Sequence, residues 1–165
     1  SVDTEKQSNF AAEVYWNPYS KLRFSMDTEL DKNDLNPLES NFKVRYTPAL
    51  NKVINFSYRY REDVRSQAEV SFIWPLSPEW TALGLWQEDM ENNQTPEAML
   101  GLEYASCCWK VRVAARQWIE DDSGGQEDTA LLLQFVLKGL GSIGNGSKAL
   151  QDIDGFNERE ENDDY

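Results

Sequence analysis

The feature that most constrains this chain is a period of two in its apolar residues, repeated in segment after segment. Successive side chains of an extended strand point to opposite faces, so this period writes strands with one apolar and one polar face. In the run 22–30, Leu22, Phe24, Met26 and Leu30 oppose Arg23, Ser25, Asp27 and Glu29. Phe42, Val44 and Tyr46 then oppose Lys43 and Arg45, and Ile54, Phe56, Tyr58 and Tyr60 oppose Asn55, Ser57 and Arg59. Ala68, Val70, Phe72 and Trp74 oppose Gln67, Glu69 and Ser71; Trp109, Val111, Val113 and Ala115 oppose Lys110, Arg112 and Arg116. Leu131, Leu133, Phe135 and Leu137 close the series against Gln134 and Lys138. Helical periodicity is nearly absent.

The pattern predicts about nine strands, near 10–16, 21–31, 39–47, 52–61, 66–75, 79–89, 97–106, 108–118 and 129–139. All six prolines fall between these segments or at a segment end, where a missing backbone donor does least harm. The connections alternate between short turns (Asn17–Ser20, Pro48–Asn51, Leu76–Pro78, Ser106–Cys107) and longer polar stretches through 32–38, 61–66, 89–96 and 119–128. Membrane barrels have tight periplasmic turns and longer external loops, whereas a soluble meander has no reason to sort its loops by length. The expected class is therefore all-β, an antiparallel up-and-down transmembrane β-barrel. An odd strand count leaves the two ends on opposite sides of a membrane and two open edges in lipid, so the reading is of a piece of a larger barrel beginning in an external loop.

Composition agrees with strands that hide their hydrophobicity by alternation. The 165 residues are 40% hydrophobic and 27% charged, with a mean hydropathy of -0.67. No apolar run reaches the length a membrane helix needs. The net charge of -13 argues against nucleic acid as a partner, because a phosphate backbone calls for a surplus of Lys and Arg. There is no histidine, which removes the commonest general base and zinc ligand. No cofactor, metal or catalytic residue is expected. Ser1 to Phe10 are polar and lack the apolar core of a signal peptide. Residues 147–165 are read as a separate acidic, solvated and mobile tail, its last fifteen residues holding seven carboxylates and one arginine.

Aromatic residues add a third signal. Trp16, Tyr46, Trp74, Trp80, Tyr104 and Trp109 all flank the short turns, and by parity all lie on the apolar face. Such a ring is an interfacial girdle, since indole and phenol suit a boundary with one oily and one wet side. Tyr60 and Trp86 begin a second girdle at the loop end. Trp118 breaks the rule, because its parity groups it with Lys110 and Arg112; a β-bulge is expected to re-aim it. With the apolar face on lipid, the lumen is lined by Arg23, Asp27, Glu29, Lys43, Arg45, Arg59, Glu69, Glu103, Lys110, Arg112 and Arg116. Alternation alone leaves open that this face is an ordinary solvated exterior and the aromatics an ordinary core.

Cys107 and Cys108 are adjacent at a predicted turn. Neighbouring cysteines rarely bond each other because the small ring strains the disulfide. Without histidine they make a poor metal site. Two separate disulfides to cysteines beyond this sequence, or a chance pair of small residues, both fit.

The run Met99-Leu100-Gly101-Leu102-Glu103-Tyr104-Ala105-Ser106-Cys107-Cys108-Trp109-Lys110-Val111-Arg112-Val113 resembles the C-terminal barrel region of the LptD family of lipopolysaccharide-assembly proteins. Asn55 to Arg61, Ile73-Trp74-Pro75-Leu76 followed by Trp80, and Leu133 to Leu140 agree with the same pattern, so the resemblance covers most of 20–146. It implies a large non-enzymatic barrel of the cell outer membrane, plugged by the lipoprotein LptE and fed with lipopolysaccharide by a periplasmic LptA-type bridge. It implies that Cys107 and Cys108 bond to an N-terminal domain that this sequence lacks. It further implies that the last strand, with Leu131, Leu133, Phe135 and Leu137, forms one side of a lateral gate and is read by the barrel-insertion machinery. The cargo then reaches the outer leaflet between the first and last strands. Two other classes compete: a general porin, which needs no periplasmic cysteine pair, and a soluble ligand-binding barrel, which needs an inward apolar face. A hydrolase is disfavoured, with neither histidine nor a Gly-x-Ser-x-Gly elbow.

Overall fold

The structure is a computed structural model and describes residues 10–31, 35–62, 65–120, 126–145 and 147–163. Among the described residues ten strands follow one another: β1 (Phe10–Tyr19), β2 (Leu22–Leu30), β3 (Pro37–Ala49), β4 (Lys52–Arg61), β5 (Arg65–Pro75), β6 (Trp80–Asp89), β7 (Gln94–Ala105), β8 (Trp109–Glu120), β9 (Gln126–Leu137) and β10 (Gly141–Gly144). They form one sheet in sequence order, each strand antiparallel to its neighbour. Two helices end the described chain, α1 (Ser147–Gln151) and α2 (Phe156–Asp163). The alternation thus yields the all-β, up-and-down arrangement expected, with most strands long enough to cross a bilayer at a tilt. No helix among the described residues is long and apolar enough to span a membrane, which says nothing against spanning by strands.

The register carries the alternation across the sheet. Tyr46 pairs with Ile54, Ile54 with Phe72, Trp74 with Ala82, Ala82 with Leu102, and Leu102 with Val113. A slip of one residue anywhere would move a whole strand's apolar set to the other face. Register shifts occur at the ends of four pairings, near Trp16/Tyr19, Glu29/Leu30, Tyr46/Ala49 and Gln87/Asp89, so the middle of each strand stays in phase.

Four details differ from the sequence reading. A tenth short strand, Gly141–Gly144, folds back on β9, pairing Gly141 with Leu137 and Gly144 with Gln134. Glycine at 139, 141 and 144 supplies the positive φ values (78°, 125° and 133°) that the hairpin needs, and its few side chains left no alternation to read. Second, the strands run further than their apolar residues do. The segments between strands are 20–21, 50–51, 76–79 and 106–108 on one side, against 31–36, 62–64, 90–93 and 121–125 on the other. The contrast in loop length is therefore weaker than expected, because polar residues such as Asn41, Arg61 and Glu97 are in register pairs. Parts of the longer segments (32–34, 63–64, 121–125) lie outside the described residues. Third, no bulge re-aims Trp118: it pairs in phase with Glu97 and Asp128, and the Arg116 guanidinium lies over its ring at 5.2 Å.

The fourth difference concerns the tail. Sequence charge led to a solvated segment from 147 onward, whereas Ala149, Leu150, Ile153 and Phe156 are buried. They pack with Ile73, Leu83, Leu85, Met99, Ala114 and Leu132 into one small apolar cluster. Four apolar side chains spaced among acids are enough to dock a short segment when a complementary surface waits for them. The acids of this segment then become partners of the sheet.

Candidate functional site

The sheet has two chemically different faces, and their exposure is the reverse of a soluble protein's. Leu100, Leu131, Leu133 and Trp86 are open, at 66%, 70%, 56% and 54% of full exposure. Ile54, Phe56, Val70, Leu102, Val113, Phe135 and Leu137 share that face and are exposed too. The opposite face holds the polar residues, and it is the covered one: Asn55, Ser71, Thr81, Glu103, Lys110, Arg112 and Gln134 are all buried. A contiguous open face of this kind marks a surface that meets another apolar phase.

On the apolar face, the aromatics gather beside the turns. Trp80 meets Tyr104 edge-on at 5.0 Å, Tyr104 lies 5.3 Å from Trp109, and Trp109 stacks near Phe135 at 6.1 Å. Trp16 stacks on Phe24 at 5.3 Å, and Lys52 sits 5.3 Å from the Trp74 ring. Four strands thus bring Trp80, Tyr104, Trp109 and Phe135 together: Trp80 is opposite Tyr104, Val111 is opposite both Tyr104 and Phe135, and Trp109 lies two residues before Val111 on the same face. Tyr46 stands in the same band, opposite Leu22 and Ile54.

The polar face carries every charged residue expected to line a lumen, and the register brings them into groups. Arg23 is opposite Arg45, Lys43 is opposite Ser25 and Ser57, and Glu29 is opposite Glu39. Asn41 donates to Asp27 at 2.6 Å and accepts from Arg59 at 3.1 Å, so three strands share one polar chain. Glu69 accepts from Gln87 at 2.8 Å, and Arg116 bonds Glu97 at 2.6 Å.

The centre of this face is an ion cluster that sequence reasoning did not assemble. Glu103 on β7 is fully buried and accepts from the Arg112 Nε of β8 at 2.5 Å. Its carboxylate also accepts from Arg159 of α2. Arg112 further donates to Gln134 of β9 at 2.9 Å and to Glu160 of α2 at 2.5 Å, and Lys110 reaches Glu160 at 3.3 Å. The Phe156 ring faces the same guanidinium at 4.9 Å. Charges at this depth persist only when each is paired and hydrogen-bonded, since an isolated buried ion costs several kcal/mol. The planar guanidinium of Arg112 serves three acceptors from three separate nitrogens in a fixed fork, a spread that the compact ammonium of a lysine does not reproduce. Two further tail acids meet wall arginines: Asp154 pairs with Arg45, and Asp152 lies 3.7 Å from Arg116. The only sequence signal for this site was parity, which put Glu103 and Arg112 on one face; nothing local pointed to Arg159 and Glu160.

Beside the cluster, a polar cleft of about 740 Å³ opens toward the turns. Glu79, Glu103, Cys107, Lys138 and Arg159 line it. Cys107 and Cys108 are exposed and free, with their sulfurs 2.8 Å apart. A hydrogen bond from Cys108, helped by Ser106, lowers the Cys107 thiol below its ordinary range. The same bond and the neighbouring charge raise Cys108. No group of histidine, cysteine and carboxylate among the described residues is arranged to hold a metal ion.

An antiparallel, sequentially ordered sheet with its apolar face open and its charged face covered belongs to the β-barrel class, as a stretch of barrel wall. Residues 1–80 match the family described as LptD, LPS transport system D. The chain is 41% identical over 138 residues to the LPS-assembly protein LptD of Pseudomonas aeruginosa strain LESB58, covering 67% of this chain and 15% of that protein. It is 35% identical to its counterpart in strain UCBPP-PA14 over 87% of the chain and 20% of that protein. The LPS-assembly protein LptD of Hahella chejuensis is 32% identical over 96% of the chain and 21% of its own length. The chain belongs to the LptD family, and it spans about a fifth of the length of such relatives. The family's descriptions are of transport and assembly, not of catalysis.

Proposed function

We propose that this chain is part of the wall of an outer-membrane translocon that carries lipopolysaccharide to the outer leaflet. The observation that carries the reading is the exposure pattern, with leucine, phenylalanine and tryptophan open on one face and charge covered on the other. Such a wall is favoured when the open face meets lipid and the charged face meets a hydrated lumen. The task needs no bond chemistry. A lipid with a large polar head must pass the hydrocarbon layer without exposing that head, and a polar lumen that parts along one seam achieves this.

In this reading the seam lies at the edge formed by β9 and β10, with Leu131 and Leu133 beside it. β10 pairs with only residues 134–137 of β9 and Asn145 bonds Leu133, which leaves residues 126–132 of the strand as the open edge of the sheet among the described residues. Lateral release occurs there, against the first strand of the complete barrel. Cys107 and Cys108 form disulfides to a periplasmic N-terminal domain, the plug lipoprotein LptE fills part of the lumen, and an LptA-type bridge delivers the cargo. The barrel-insertion machinery reads the last strand.

The test is photo-crosslinking in a full-length family protein carrying this segment. A benzophenone side chain at Lys43 on the lumenal face, and another at Leu133 beside the seam, should both yield lipopolysaccharide adducts during active transport. Adducts with phospholipid alone at both positions would overturn the reading and leave a passive channel as the better account.

A further inference from the structure

Resting on the gate reading above, we propose that helices α1 and α2 form a lumenal latch that holds the seam strands β9 and β10 against the wall. The connection starts at the seam. Asn145, directly after β10, pairs with β9 through both its backbone, at 3.2 Å to the Leu133 carbonyl, and its side chain, which accepts from the Leu133 N–H at 2.9 Å. The chain then turns back across the polar face instead of leaving the sheet. Glu160 is held by Lys110 and Arg112 on β8, Arg159 by Glu103 on β7, and Asp152 lies by Arg116 on β8. The connection between the helices reaches β4, where Asn55 donates to the Asp154 carbonyl at 2.8 Å, and β3, where Arg45 pairs with the Asp154 carboxylate, before α2 returns to β7 and β8.

One segment therefore reaches from the last strand pair to β3 and back to β7 and β8, held at its start, its middle and α2. Its slack is small. Only residues 145 and 146 separate β10 from α1, and an extended residue reaches at most about 3.6 Å. Outward movement of β9 and β10 by more than this short linker allows must pull α1 from its apolar seat or part the ion cluster. Within the seam pair β9 is paired along its length with β8, whereas β10 is secured by only four register pairs and carries two glycines. Buried pairs broken on one side are costly, so the cluster is a strong stop, while Asp152 and Asp154 are half open and yield first.

The latch is tested in a full-length family protein carrying this segment, with a photo-crosslinking side chain at Leu133 that reports contact across the seam. Two variants remove the latch: deletion of residues 147–165, and Arg159→Glu, which sets a second carboxylate against Glu103. Both should lower the cross-seam adduct several-fold while the heat-modifiable mobility of the folded barrel is kept. Arg159→Lys, which keeps a cation beside Glu103, should retain most of the adduct. An adduct unchanged in both variants overturns the latch and leaves the gate standing. Loss of the folded barrel in both variants also overturns it, since the segment then serves folding and not closure. Absence of any cross-seam adduct in the parent overturns the gate reading and the latch together.

Discussion

Glu103 is the residue on which the polar face depends most. It is fully buried, and it neutralises Arg112 and Arg159 at once. Glu103→Ala leaves two guanidiniums short of an anion in a covered site, so unfolding of the family protein in urea should lose about 3–5 kcal/mol of stability. An effect below the range of an exposed pair would show that water reaches the cluster. Cys107 and Cys108 pose a different question of chemistry at the same scale. The thiolate is the reactive form, and Cys107 is the more acidic of the two because Cys108 and Ser106 bond to it. In the reduced protein, limiting alkylation below neutral pH should label Cys107 first, with the preference fading as pH rises far enough to ionise both thiols. Fragment-ion mass spectrometry separates the adjacent sites, and equal labelling throughout would refute the assignment.

Strands are where alternation becomes energy. Val113 lies on the open face of β8, while Ala114 beside it is buried on the polar face. An arginine at Val113 would be placed toward the hydrocarbon, and Val113→Arg should cost about 2–4 kcal/mol if the residue sits near the bilayer midplane. Refolding equilibria in lipid vesicles measure this, and a neutral result would put Val113 outside the membrane. The neighbouring strand carries a steric limit as well. A Cβ at Gly101 would stand 2.8 Å from the Ala114 Cβ and 3.1 Å from the Val113 carbonyl oxygen. Because a backbone atom is one of the two, Gly101→Val should destabilise the β7–β8 pair by about 1–3 kcal/mol, read by the same refolding equilibria. Element ends behave differently from centres. At the β6–β7 turn, Asp89 accepts from the backbone of Glu91 and Asn92 while Asn93 takes a positive φ of 49°, a local solution that composition concealed as a long loop.

At the scale of the whole molecule, the question is which face meets what. In a Cys107→Ser, Cys108→Ser background, single cysteines at 131, 132, 133 and 134 carry a fluorescent label through β9. Labels at 131 and 133 should be quenched by lipid-borne nitroxide, and those at 132 and 134 should not. Uniform quenching, or the opposite phase, would invert the assignment of inside and outside. The tail adds a global constraint, because it converts an open sheet edge and a distant wall into one mechanical unit. Seven of the chain's 29 acidic residues stand in this tail, against two basic ones, Lys148 and Arg159, so the segment needs a cationic wall.

The faces, the antiparallel order and most strand positions were legible in the sequence, because a period of two is a local property that each strand states for itself. Leu22, Phe24 and Met26 cannot share a face with Arg23 and Asp27 in any extended chain. The aromatic band was legible for the same reason. What local pattern could not state was contact between distant segments. Leu83 and Leu85 in β6 alternate with Gly84 and Trp86, so both faces read apolar, a sign of cover on both sides that gave no hint of what the cover was. Its identity rests on Leu150, Ile153 and Phe156, dispersed among acids whose net charge argued for water. Charge density describes a segment's cost in isolation; only the tertiary structure supplied Arg45, Lys110, Arg112 and Arg116, the partners that offset that cost.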